Sequence, residues 1–197
     1  LKVRKALEQG IEVRILDLSR EEQEIIKTLF LLTAKSSLFV LNIAEKEVGL
    51  NEEELINKYG LKEVGEIIPI CAKVEMELSD LNPQERKEYL KEMGLKESGL
   101  EKLIKKAYQT LGLQTFLTAG EKEVRAWTIK SGDKAPQAAG SIHTDFEKGF
   151  IKAKVVSFAD FVRLGGWKKA TEEGKVRLEG KDYVMQEGDV VEFMFSL

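Results

Sequence analysis

The sequence predicts an α/β layer built on a parallel sheet over its first 113 residues, followed by an α+β layer with a mixed sheet over residues 114–197. Two observations carry the first half of that statement. The runs Leu38-Phe39-Val40-Leu41 and Ile67-Ile68-Pro69-Ile70 are continuously apolar, as in strands buried on both faces of a parallel sheet. A helix-patterned stretch, 51–59, lies between them, which makes a βαβ unit. The third observation is a change of texture after residue 113, where short strand-like runs alternate with glycine turns.

In the first region the helix starts are written as capping boxes, in which a Ser or Asn oxygen and a Glu carboxylate satisfy each other's backbone N–H groups. Ser19…Glu22 opens a helix whose Ile25, Ile26, Leu29 and Phe30 are spaced for one buried face. The signal recurs at Asn51…Glu54, at Asn82-Pro83…Glu85 and at Ser98…Glu101. Gly94 and Gly112 fall where helices stop. In the second region, 115–118 and 123–129 read as strands joined by a turn at Gly120, and a helix falls within 135–147. Residues 151–156 alternate apolar and charged side chains, the mark of a half-buried strand. A short helix, 158–164, ends at Gly165-Gly166, and strands follow at 175–179, 183–185 and 190–195. Phe146, Phe150, Phe158 and Phe161 are expected in the core.

Composition excludes several function classes. No apolar run approaches the ~20 residues that cross a bilayer, so no membrane association is expected. No signal-peptide stretch is present, and the expectation is a soluble, cytoplasmic protein. One cysteine, Cys71, and one histidine, His143, exclude an internal disulfide framework and any Cys/His zinc site. The formal net charge is −3. Residues 1–113 hold 18 Lys+Arg against 21 Asp+Glu, and residues 114–197 hold 13 of each. Neither half is a basic block, so any contact with RNA must use a local patch. The best candidate patch is Lys148, Lys152 and Lys154 together with Trp167, Lys168 and Lys169, whose tryptophan is expected to be exposed after the glycine pair. His143 and Asp145 are expected to fix a loop as a hydrogen-bonded pair.

Ligands of open α/β sheets bind beyond the carboxyl ends of the parallel strands. Asn42-Ile43-Ala44-Glu45 follows the first strand and Cys71-Ala72-Lys73 follows the second. GTPases place N-K-x-D and S-A-K at these two points; the Asp carboxylate accepts two hydrogen bonds from guanine and the second loop offers backbone N–H groups. Here Asn42 matches, Ile43 replaces Lys and Glu45 replaces Asp. The extra methylene displaces the carboxylate by roughly 1.5 Å, about one carbon–carbon bond, and spoils the guanine clamp. An Asn amide still pairs with adenine N6 and N7, so the pocket leans to ATP over GTP. Cys71 reads as a small buried residue rather than a nucleophile. A P-loop, G-x-x-x-x-G-K-[ST], is missing; its nearest approach, Gly94…Gly99, is followed by Leu100-Glu101. No catalytic residue and no metal ligand is therefore expected in this chain.

Longer matches carry a resemblance. The stretch from Thr118-Ala119-Gly120-Glu121-Lys122-Glu123 through Val124-Arg125-Ala126-Trp127-Thr128, then Ala135-Pro136-Gln137-Ala138-Ala139-Gly140 and His143-Thr144-Asp145-Phe146-Glu147-Lys148-Gly149-Phe150-Ile151, resembles the YchF/Obg-like ATPase family of translation-factor-related GTPases. Leu178-Glu179-Gly180-Lys181-Asp182-Tyr183-Val184, Gly188-Asp189-Val190-Val191 and Phe30-Leu31-Leu32-Thr33-Ala34-Lys35 also look like that family, and its N-x-x-E signature falls on Asn42 and Glu45. The resemblance implies that 1–14 end a helical-hairpin insertion, that 15–113 form the last part of a P-loop GTPase-type domain, and that 114–197 form a TGS domain of the ubiquitin-like β-grasp type. It implies ATP or GTP with Mg2+ in the intact protein, no tight nucleotide binding by this chain alone, and hydrolysis by residues not present here. Asn42 and Glu45 would read the base, Ile43 would pack on it, and Cys71, Ala72 and Lys73 would close the pocket. Nucleotide and the ribosome or RNA are the implied partners; the competing expectation is a non-catalytic β-grasp module that docks on RNA or ribosome without nucleotide.

Overall fold

The computed structural model describes residues 2–62, 67–120 and 123–196. Glu121 and Lys122 of the family-like stretch lie outside the described residues, as do Leu1 and Leu197. The chain divides into two compact units, Leu1–Leu111 and Gly112–Leu197, each mixing helix with strand.

The first unit runs α1 (Lys2–Glu8), α2 (Arg20–Lys27), β1 (Phe39–Asn42), α3 (Glu52–Tyr59), β2 (Ile67–Ile70), α4 (Ala72–Ser79), α5 (Pro83–Glu92) and α6 (Gly99–Thr110). All four expected capping boxes form, at Ser19, Asn51, Asn82 and Ser98, each worth about 1 kcal/mol. Gly94 and Gly112 take left-handed φ values of 70° and 62° just past α5 and α6. β1 and β2 pair in parallel, from Phe39↔Ile67 to Asn42↔Ile70, with α3 in the crossover between them. Behind the strand ends, Ile43, Leu55, Cys71, Val74, Leu78 and Leu90 form one buried cluster. The start of α6 is drawn tightly onto the end of β2. Gly99 donates its N–H to Glu75 Oε1 at 2.7 Å, and a Cβ at position 99 would lie 3.0 Å from that oxygen and from the Ile70 side chain.

The apolar pattern overstated burial in two places. β2 begins with buried Ile67 and Ile68, but Phe39 and Val40 of β1 are exposed, so that strand is not covered on both faces. Likewise Ile25, Leu29 and Phe30 are exposed, Phe30 by 81%, and only Ile26 is half-buried. Among the described residues the first sheet has two strands, so β1 has a single strand neighbour, while Ile25 and Leu29 line an open depression with Val3 and Leu7 of α1.

The second unit runs β3 (Leu113–Ala119), β4 (Val124–Lys130), α7 (Ala135–Ile142), α8 (Thr144–Lys148), β5 (Phe150–Ser157), α9 (Phe158–Leu164), α10 (Trp167–Glu172), β6 (Arg177–Glu179) and β7 (Asp189–Phe195). The strand order is β4-β3-β7-β5-β6. β3 and β7 are parallel at the centre, and the other neighbours are antiparallel. Adjacent residues enter different cores, as strand geometry requires. Val155 and Val191 join Phe116, Phe150 and the fully buried Ala135, Ala138 and Ala139 of α7. Val156 and Val190 join Ala170 of α10 on the other face. Three alanines let α7 approach the sheet closely, and each large side chain buried beneath it contributes about 1.5–3 kcal/mol.

Local expectations are adjusted here too. The helical segment within 135–147 breaks at His143, whose extended backbone (φ −159°) ends α7 and whose Nδ1 caps α8 by accepting the Asp145 N–H at 3.2 Å. Residues 183–185 make only an isolated bridge, Lys134↔Val184. Phe150 is buried, whereas Phe158 is exposed. Trp167 is half-buried at the start of α10, a helix that has no capping side chain to announce it. The loop before β7 is organised by the buried Asp189, which accepts from the Tyr183 hydroxyl at 2.8 Å and the Gln186 N–H at 2.9 Å. Burial, reinforced by the Asp189 carboxylate, pushes the Tyr183 hydroxyl up to about 12.

Gly149 joins α8 to β5 where a Cβ would stand 1.9 Å from the Ser196 carbonyl oxygen. Gly149→Ala is expected to lower stability by about 1–3 kcal/mol or more through overpacking. Gly180→Ala, at a site with open space, is the matched control. Urea midpoints of the two variants check this.

Candidate functional site

The two strand-end loops meet. Parallel register places Asn42 opposite Ile70, and the Ile43 N–H donates to Ile70 O at 2.9 Å. One step further on, Asn42 Oδ1 accepts the Ala72 N–H at 3.2 Å, joining residues 30 apart in sequence. Lys73 Nζ then donates to Glu45 Oε2 at 2.6 Å across a separation of 28 residues. Glu77, one turn along α4, stands 3.8 Å from the same ammonium and accepts from the Tyr89 hydroxyl at 2.6 Å. The Glu45 carboxylate, foremost, raises the Lys73 ammonium above its ordinary value. Asn42, Ala44, Glu45, Ala72 and Lys73 are exposed, and Ala44, Glu45, Lys46 and Met93 line an open depression beside the ion pair.

Ile43 and Cys71 are placed differently from the rest. Both side chains are buried among Leu55, Val74, Leu78 and Leu90. Ile43 is thus a core anchor, turned by alternation away from the side on which Asn42 lies rather than standing beside it as the packing role expects. Cys71 is the small buried residue the sequence suggested.

Glu47 was not foreseen. Its carboxylate is buried, accepts the Ala44 N–H at 2.7 Å and the Tyr59 hydroxyl at 2.8 Å, and forms an ion pair with Lys58. The Lys58 ammonium, followed by the Ala44 and Tyr59 hydrogen bonds, holds it down at about 2. This network fastens the residue before Glu45 to α3. The signal was half a capping box, with Glu at the third position and Ala44, which has no acceptor, where a Ser or Asn would stand.

The lysine group is only partly assembled. Lys152 and Lys154 share one face of β5, the face on which Val156 meets α10. Lys154 is tied to Glu192 on β7 at 2.9 Å, whereas Lys152 is exposed. Lys168 and Lys169 are exposed on α10 itself. Lys148 ends α8, whose Phe146 packs into the opposite layer by stacking on Phe195 at 3.8 Å. Trp167 is a packing residue, with its ring edge-on to Phe161 at 5.3 Å and its indole N–H donated to Ala119 O at 2.8 Å. Among the described residues no three His, Cys, Asp or Glu side chains cluster as a metal site, and no helix is long and apolar enough to cross a membrane.

These features define the class, a two-unit mixed α/β protein with two bonded loops at the carboxyl ends of a parallel strand pair. The family profile described as YchF-GTPase_C, "Protein of unknown function (DUF933)", matches residues 113–196. A "Ribosome-binding ATPase YchF" from Bacillus subtilis (strain 168) is 47% identical over 200 residues, covering 100% of this chain and 55% of the relative. One of the same description from Escherichia coli O157:H7 is 46% identical over 192 residues, covering 97% of this chain and 53% of the relative. The solved YchF GTPase of Schizosaccharomyces pombe superposes with a TM-score of 0.80 at 36% identity, over 98% of this chain and 52% of that one. The chain belongs to the YchF family. It spans about half the length of the curated relatives it matches.

Because the Glu47 carboxyl is held far below its ordinary value of 4.5, it stabilises the fold fully above pH 4.5 and loses that contribution as pH falls towards 2. Glu47→Gln is therefore expected to be less stable than the native sequence at pH 7, with the gap closing between pH 4.5 and 2. Denaturant unfolding of both proteins across that range measures it.

Proposed function

We propose that this chain is the later part of a YchF-type nucleotide-binding protein that acts on the ribosome, reading the purine base at Asn42 and Glu45 and preferring ATP to GTP. The observation that carries this reading is the Asn42–Ala72 bond, which turns two sequence-distant loops into one recognition edge. The Asn42 amide faces the base, Ala72 and Lys73 complete the edge, and Ile43 and Cys71 support it from the core. Residues 15–113 serve as the last part of a GTPase-type domain, 1–14 as the end of a helical insertion, and 114–197 as a TGS domain. The order β4-β3-β7-β5-β6, with a central parallel pair and α7 against one face, supports a β-grasp assignment for that domain.

Hydrolysis in the intact protein uses a phosphate cradle and Mg2+ held by residues outside this chain. The exposed apolar side chains of the first unit support that division: Ile25, Leu29, Phe30, Leu32, Phe39 and Val40 are each left uncovered within this chain. The name shared by the relatives, "Ribosome-binding ATPase YchF", supports the ribosome as partner and a cytoplasmic setting.

Titration of the isotope-labelled chain with ATP, ADP and GTP tests the base site. ATP and ADP are expected to shift the Asn42 side-chain amide and the Ala72 N–H at millimolar concentrations, more strongly than GTP. Unchanged signals with all three nucleotides would overturn the base-reading role. A second reading, docking through the second unit without nucleotide, is favoured by Lys152, Lys168 and Lys169, exposed on one side of the sheet. Co-sedimentation with ribosomes at low salt is expected to weaken severalfold in the Lys152→Glu/Lys168→Glu/Lys169→Glu variant. Equal sedimentation would remove that surface from consideration.

A further inference from the structure

In the structure, both groups that a guanine base would need already hold a partner. Guanine presents O6 as an acceptor, then N1–H and the 2-amino group as donors. O6 requires a backbone donor from the second loop, and the N1–H and N2–H pair requires both oxygens of a free carboxylate. The donor, the Ala72 N–H, is taken by Asn42 Oδ1 at 3.2 Å. Oε2 of Glu45 accepts from Lys73 at 2.6 Å, which leaves Oε1 open but pairs the carboxylate with a cation that the guanine donors would have to share. Adenine has the reverse pattern, a donating 6-amino group and an accepting N1. The 6-amino group finds Asn42 Oδ1, which retains a second lone pair. N1 needs a donor where a bare carboxylate would repel it, and the Lys73 ammonium has two N–H bonds not spent on Glu45.

We propose that Lys73 is the residue that sets the choice of base, neutralising Glu45 against guanine and supplying the donor for adenine N1. The proposal rests on the base-reading role given to Asn42 and Glu45. It does not follow from the N-x-x-E pattern alone, because a Glu without the lysine would still offer guanine an acceptor. Glu77 also keeps the ammonium on this edge, at 3.8 Å, and is itself fixed by Tyr89. Lys73 is 60% exposed, and its ion pair contributes little to folding. Its replacement therefore changes recognition while leaving the fold intact.

The experiment is a titration of the 197-residue chain with ATP and GTP, followed by amide shifts, for the native sequence, Lys73→Met and Lys73→Arg. Methionine keeps the apolar stem and removes the charge; arginine keeps the charge and the donors. The ratio of ATP to GTP affinity cancels any general attraction of a cation for phosphates. Lys73→Met is expected to lower that ratio about fivefold or more, the discrimination of a lost directional hydrogen-bond pair, and Lys73→Arg to keep ATP ahead. Melting curves confirm that both variants fold. An unchanged ratio in Lys73→Met, with ATP still preferred by the native chain, overturns the role of Lys73 and leaves the base-reading role standing. Equal loss of both nucleotides in Lys73→Met also overturns it, since the lysine would then bind without selecting. A native chain that binds neither nucleotide overturns the base-reading role and this proposal together.

Discussion

The parallel pairing of β1 with β2 is the constraint from which the candidate site follows. Register fixes Asn42 against Ile70, and in a parallel pair the next residues of both strands must leave the sheet at the same end. Ile43 N–H to Ile70 O is the last rung, and everything beyond it is side-chain chemistry. Asn42 caps the second loop through Ala72, Lys73 reaches back to Glu45, and Glu75 receives the start of α6 at Gly99. A slip of one residue would turn Ile43 out of the core and Asn42 into it. Burial of Ile43 with Leu55 and Val74 therefore guards the register that the exposed polar groups use.

Much of the fold was legible because its signals are local. Capping boxes at Ser19, Asn51, Asn82 and Ser98 depend on residues three apart, and each formed. The strand runs were legible for the same reason, and so was α9, which lies between the Ser157 cap and Gly165. What failed to show was long-range. α10 begins at Gly166 without a capping side chain and is held by Ala170 beneath the sheet and by Trp167 against Ala119 and Phe161. The break at His143 arises because α8 must turn to seat Phe146 on Phe195, forty-nine positions away in the chain. Asn42 and Glu45 could be picked out by their place after a strand, but the face taken by Ile43 could not be read without register. Glu47 was hidden because half of its capping box is missing, and its partners Lys58 and Tyr59 lie on another helix.

The two units differ in how far they satisfy their own apolar surface. The second encloses Phe116, Val155, Met185 and Val191 almost completely under α7 and closes part of the other face with Ala170 and Trp167. Its charges balance, so the docking proposed for it would rest on where lysines sit rather than on net attraction. The first unit leaves Phe30 and Leu32 about four-fifths exposed.

Incomplete cover and a well-ordered site coexist in the first unit because they lie on different elements. The exposed apolar residues belong to α2, to the segment after it and to the body of β1. The loops are held instead by α3 through Glu47, by α4 through Asn42 and by α6 through Gly99. Glu47 matters most in this arrangement, because a buried carboxylate that lost Lys58 or Tyr59 would leave an uncompensated charge under the Ala44–Glu45 backbone. The same carboxylate that is costly to bury thus makes the loop position unique. Glu45 is carried on that fixed backbone into reach of Lys73, so the exposed ion pair inherits its geometry from a buried one.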